Sequence, residues 1–226
     1  MKATIQAICY KISQHPEIHK SSLKRSQILE VVAAFLGYKS YAAMSQEEKN
    51  PEQDYALSDA EFIILNHAQG RYRAKKFEMS DTAIDLCISE LKEGLTVPVW
   101  LSIDDFYDDN QVGFLEILQD EIFSSDDIVN SNADFDDLPY LNQKITVSGD
   151  LWKSTYDWSV NDTGILQGGY SSEGDRFFNG DSFDVTVKFV FAKAGRSGLI
   201  FLADDSYCNL NANEDWYDPE LFLTTE

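Results

Sequence analysis

The hydrophobic period changes part-way along the chain, and that change restricts the fold more than any other feature. In the first hundred residues apolar side chains recur every three or four positions, as in Ile5, Ile8, Cys9 and Ile12. In "DSFDVTVKFVFAK" Asp184, Thr186 and Lys188 instead alternate with Val185, Val187 and Phe189. The first pattern is that of an amphipathic helix and the second that of a half-buried strand. Helices first and antiparallel strands afterwards make an α+β fold, since a doubly wound α/β chain would interleave them.

The segment "SSLKRSQILEVVAAFLGYKSYAAM" predicts a second helix whose apolar face carries Leu23, Gln27, Ile28, Val31, Val32, Phe35 and Leu36. Gly37 is placed as its C-terminal cap, and Ser40 as the start of a short third helix. The polar stretch "SQEEKNPEQD" divides a helical module, residues 1–50, from an acidic α+β domain, residues 51–226, that becomes strand-rich at about residue 138. In that domain "LSDAEFIILNHAQGRYRAKKF" reads as a helix capped by Ser58 and interrupted at Gly70. "MSDTAIDLCISELKEG" reads as another, with Ile84, Cys87, Ile88 and Leu91 on one face. "LTVPVWLS" is a short strand that Pro98 places at an edge or a strand start. "KITVSGDLW", "GILQGGYS" and "SGLIFLAD" complete the strands, "AKAGRSG" is a hairpin loop, and "NLNANEDWYDPE" reads as a polar turn.

Over 226 residues, 43% hydrophobic content suffices for a packed core and excludes disorder of the whole chain. The formal charge of −21 opposes charge-driven contact with nucleic acid or anionic membrane over most of the surface and favours a basic protein partner. Charge is uneven: residues 1–50 carry 7 basic and 4 acidic side chains, whereas residues 101–150 carry 1 and 13. Cys9, Cys87 and Cys208 lie far apart, as buried thiols of a reducing compartment do. No run approaches the roughly 20 apolar residues of a membrane-spanning helix, and the first residues lack a secretory pattern. The expected setting is cytoplasmic.

Motifs for chemistry are incomplete. His15 and His19 are four apart, but Pro16 puts a helix start between them and no third ligand is nearby. A calcium loop begun at Asp108 fails at Val112 and Gln119, where oxygen ligands belong. One begun at Asn209 has Glu214 in place of the turn glycine. There is no G-x-S-x-G, P-loop or G-x-G-x-x-G, and "QGGYSSEG" lacks the lysine and helix of a phosphate cradle. No catalytic residue, metal ligand or cofactor site is therefore assigned; an enzyme whose site is assembled from dispersed residues remains an alternative.

Two interaction signals are left. "SIDDFYDDNQ" opens a run that, as a helix from Asp104 to Phe123, places Asp105, Asp109, Glu116 and Asp120 within about 60° of one another, with Phe114, Leu115, Leu118 and Ile122 on the buried side. Gly113 opposes that helix, and like charges four apart cost it roughly 0.2–0.5 kcal/mol per pair, so the stripe suggests a use. A non-enzymatic protein is expected that binds a basic partner through Asp104, Asp105, Asp108, Asp109, Glu116, Asp120, Asp136 and Asp137. In its sharpest form it is an inhibitor that imitates the phosphate rail of nucleic acid. The second signal is the basic head: Lys20, Lys24, Arg25 and Lys39 would serve a nucleic-acid-associated regulator, against the simpler expectation of a structural αα-hairpin.

The corner Gly37, Tyr38, Lys39, Ser40 and Tyr41, with the helix before it, resembles a small helical module of bacterial proteins grouped as glyoxalase-related, over some thirty residues. The later order, "VPVWLSIDDF", "DDIVNSNADFDD" and "GGYSSEGDRFFNGDSFDVTVKF", is similar to that of uncharacterised bacterial proteins sharing this head. The family label implies metal-dependent glyoxalase chemistry, but its spaced His and Glu ligands on successive βαβββ units are not found, so no catalytic residue is carried over. The resemblance implies a bacterial, phage or plasmid setting.

Overall fold

The computed structural model describes residues 1–20, 23–48, 54–129, 133–135, 137–142, 144–170 and 182–213. In chain order the elements are α1 (Lys2–Ser13), α2 (Pro16–Lys20), α3 (Arg25–Phe35), α4 (Tyr41–Glu47), a 3-10 turn at Leu57–Asp59, β1 (Phe62–Ile64), α5 (His67–Lys76), α6 (Asp81–Gly94) and β2 (Val99–Trp100). The long α7 (Ile103–Phe123) and short α8 (Asp126–Val129) follow. Then come β3 (Ala133–Asp134), β4 (Tyr140–Leu141), β5 (Thr146–Val147), β6 (Asp157–Gln167), β7 (Gly169–Tyr170), β8 (Ser182–Ala194), β9 (Gly198–Phe201) and β10 (Tyr207–Ala212). The fold is α+β, with helices mostly N-terminal and a mixed sheet toward the C-terminus. Among the described residues no helix is long and apolar enough to cross a membrane.

The chain forms two compact units. Unit 1 takes Met1–Asp109, Gly149–Trp158 and Phe191–Phe201; unit 2 takes Asn110–Ser148, Ser159–Val190 and Leu202–Glu226. Helix α7 and strands β6 and β8 contribute residues to each.

In unit 1 the expected apolar faces meet: Ile5, Ile8, Cys9 and Ile12 of α1 share one core with Ile28, Val31, Val32 and Phe35 of α3 and with Ile84, Cys87 and Leu91 of α6. Ser40 and Ser80 cap α4 and α6, their hydroxyls accepting from the amides of Ala43 at 3.1 Å and Ala83 at 3.2 Å. Phe62–Ile64, expected in a helix from Ser58, is instead strand β1. It pairs parallel with β2 and antiparallel with β9. Ser58 lies in the 3-10 turn, and Asn66 is the cap of the helix that follows. Three apolar residues carry no period of their own, and strand partners on both sides decide their state. Gly70 does not interrupt α5; a Cβ there would collide with the Phe35 ring, so the glycine allows α5 to lie close on α3. Phe106, on the first turns of α7, meets Phe62, Trp100 and Phe191 edge-on at 5.2–5.5 Å between ring centroids. Strands β8 and β9 form the expected hairpin, with Ala194 opposite Gly198 and Gly195 at a φ of 63° in the turn.

In unit 2 the alternation read from β8 holds: Phe183, Val185, Val187 and Phe189 are buried, and Asp184 is exposed. The later turns of α7 bury Phe114, Leu115, Leu118 and Ile122, and Phe114 lies 5.1 Å from Phe189 between ring centroids. Strands β4 and β5 pair antiparallel with β6, and β3 with β7. Residues Asn209–Ala212, expected in a polar turn, belong to β10, which pairs antiparallel with β8 from Tyr207–Lys188 to Ala212–Phe183. Asparagine is a poor strand former, and the β8 ladder outweighs that preference. The rest of that sequence, from Glu214, lies outside the described residues.

Candidate functional site

A cavity of about 480 Å³ lies within unit 1, and its wall begins at the corner where α3 ends. Gly37, at a φ of 80°, donates to the Ala34 carbonyl at 3.0 Å, and Tyr38 donates to that of Ala33 at 2.9 Å. This pair of bonds is the Schellman stop of a helix, and the left-handed corner it needs suits glycine. The turn sends Tyr38 into the core and leaves Lys39 exposed. Trp152 and Arg196 pack on Gly37, where an added Cβ would lie 2.9 Å from Trp152 Cδ1 and 3.1 Å from Arg196 Cβ.

Each remaining wall is fixed by a bond of its own. Asn66 caps α5 by accepting from the Gln69 amide at 3.0 Å, and the Gln69 side chain donates to the Tyr38 carbonyl at 2.7 Å. The Trp152 indole donates to the Ile64 carbonyl at 3.0 Å. Arg196 Nε donates to Glu47 Oε2 at 3.0 Å, and its backbone amide to the Tyr38 hydroxyl at 3.3 Å. Lys153 pairs with Asp150 at 2.7 Å. Behind Arg196, the buried Lys193 donates to the Arg196 carbonyl at 2.8 Å. Burial, helped by the Arg196 charge, pulls the Lys193 ammonium down to about 7. Burial first, then the Glu47 charge, hold the Tyr38 hydroxyl above its ordinary range.

No family model, curated protein or solved structure matches this chain.

Asp104, Asp105, Asp108 and Asp109 lie exposed on the first two turns of α7, within unit 1. Ser102 caps that helix, accepting from the Asp105 amide at 3.0 Å, and carboxylates in a first turn suit the helix dipole. Asp109 also accepts from the Trp100 indole at 2.7 Å. Glu116 and Asp120 are exposed in unit 2, as is Asp137; Asp136 lies outside the described residues. Asp120 and Glu121 occupy the last turn of α7, which has no basic residue, so there the dipole opposes them.

Of the basic residues, Lys20 ends α2 with its side chain outside the described part. Lys24 and Arg25 stand at the start of α3, and Lys39 follows its end. A helix of that length separates the two places by roughly 16 Å. Arg25 donates to the Gln6 carbonyl at 3.0 Å and lies over the Tyr10 ring at 5.5 Å. His67 accepts from Arg71 at 2.9 Å, within α5. Sequence reasoning missed Trp152, Gln69, Glu47 and Arg196 as neighbours. They come from four separate stretches without spacing to link them, and only Lys39 of the cavity wall was singled out for function.

Proposed function

We propose that the protein acts by binding, with unit 2 docking on a basic surface of another protein. The observation that supports this is where the charge resides. The segments of unit 2 carry 20 acidic and 3 basic side chains, a net charge of −17, against 19 and 15 in unit 1, a net of −4. Glu116, Asp120, Glu121, Asp126 and Asp127 are exposed on α7 and α8. Asp134, Asp137, Asp184, Asp204 and Asp205 are exposed on the strands and turns. With 3 cations for 20 carboxylates the segments of this unit carry charge of overwhelmingly one sign, and such a field speeds encounter with a partner of the other. In its sharper form the partner is a nucleic-acid-binding protein, whose phosphate contacts this surface imitates.

The test compares the native protein with a Glu116→Gln, Asp120→Asn, Glu121→Gln variant in affinity purification at low and moderate salt. One basic protein is expected to be retained by the native chain, weakened by salt and lost with the variant, and duplex DNA should compete for it if the sharper form holds. Identical retention by both chains at each salt would refute the reading.

A further inference from the structure

We infer that the cavity of unit 1 binds a small organic anion, an oxyanion head joined to a flat apolar body. This ligand differs in class from the protein partner of unit 2, and the cavity lies wholly within unit 1. Its volume of about 480 Å³ falls within the roughly 300–1,000 Å³ of clefts that hold small molecules.

The balance of donors and acceptors selects the charge. Both carboxylates of the wall are engaged: Glu47 by Arg196, and Asp150 by Lys153 and by the Trp152 amide at 3.1 Å. The cations are not matched in the same way. Among the described residues Lys39 has no acceptor for its ammonium, and Arg196 uses Nε and Nη1 and leaves Nη2 without one. Gln69 and Asn66 each use one amide hydrogen and keep a second. The wall thus carries one cation more than it has carboxylates, Lys39, Lys153 and Arg196 against Glu47 and Asp150, together with spare donors, in a protein of net charge −21. Trp152, half-buried and tied through its indole N–H, supplies a rigid apolar surface that loses little freedom when a flat body packs on it.

The test titrates 1-naphthoate, 1-naphthyl phosphate and the neutral 1-naphthamide into the full chain at low salt and follows backbone amide resonances. Saturable shifts are expected at Gly37, Lys39, Gln69 and Arg196 with at least one oxyanion, half-complete below about 1 mM and at least about tenfold weaker with the amide. Tighter binding of the phosphate assigns a phosphate-type head, and the reverse a carboxylate. Lys39→Gln, at an exposed position whose ammonium has no acceptor among the described residues, is expected to weaken the oxyanion about fivefold without moving the thermal unfolding midpoint. No saturable shift with either oxyanion up to about 10 mM overturns the inference. So do shifts confined to other residues, or naphthamide binding as tightly as the oxyanions.

Discussion

The two units treat charge in opposite ways. In unit 1 cations and carboxylates are nearly balanced, and several are joined: Lys11 to Glu90, Arg71 to Asp81, Arg73 to Glu30 and Arg196 to Glu47 tie one element to the next. In unit 2 carboxylates outnumber cations 20 to 3, so repulsion is built in and the apolar side must hold the unit together. Charge in unit 1 is part of the fold, whereas charge in unit 2 is carried at the expense of the fold, which is why the outward function is sought there.

If so, removing a charge should have opposite consequences in the two units, with one instructive exception. The largest effect belongs to that exception, Lys193, which is buried and, among the described residues, has no carboxylate bonded to it. Its ammonium titrates near its usual 10.5 in the unfolded chain and at about 7 in the folded one. Between those values the unfolded state binds more protons, so stability rises with pH. The shift converts to an upper bound of about 5 kcal/mol. Allowing for the lost bond to the Arg196 carbonyl, Lys193→Met should stabilise by about 3 kcal/mol near pH 7 and by almost nothing near pH 10. Urea unfolding at both pH values checks this, and a gain that does not shrink with pH would remove the titration from the explanation.

Glu47→Gln comes next, with an expected loss of about 2 kcal/mol, because it leaves the half-buried Arg196 without its counter-charge. A neutral outcome in thermal unfolding would mean that unit 1 pairs are ornamental as well. In unit 2 the sign reverses. Glu116→Gln, Asp120→Asn and Glu121→Gln together should stabilise by roughly 1 kcal/mol at low salt, relieving a like-charge pair and two unfavourable dipole contacts, and the gain should fade at high salt. The smallest effect separates backbone from charge. A Cβ at Gly113 meets nothing within 4 Å, so Gly113→Ala should add a little under about 1 kcal/mol, independent of salt.

Where local chemistry and tertiary context agree, the sequence was sufficient. Gly37 stops α3, Ser40 and Ser80 start the helices that follow them, and α7 forms across Gly113 with the predicted apolar residues inside. It was insufficient where a segment's state depends on distant neighbours. Phe62–Ile64 and Asn209–Ala212 each become strand through partners more than twenty residues away. The cavity was illegible for a related reason: Lys39, Gln69, Trp152 and Arg196 are neighbours only after the chain has returned twice to unit 1. The exposed carboxylates of unit 2 were legible as residue types, but the division of charge between units was not, because neither unit is a continuous stretch of chain.

The pairing of β1 with β9 also sets a timetable. Ile63 lies opposite Gly198, so β1, an interior strand of the sheet, waits for about 135 further residues before its antiparallel partner exists. At roughly 5–20 residues per second of synthesis, that delay is roughly 7–27 s. During it the local contacts of α1 and α3 can shelter the nascent apolar face, while a fragment ending at Asp109 would keep β1 permanently without its antiparallel neighbour. Such a fragment would present the unpaired edge of β1 to other chains.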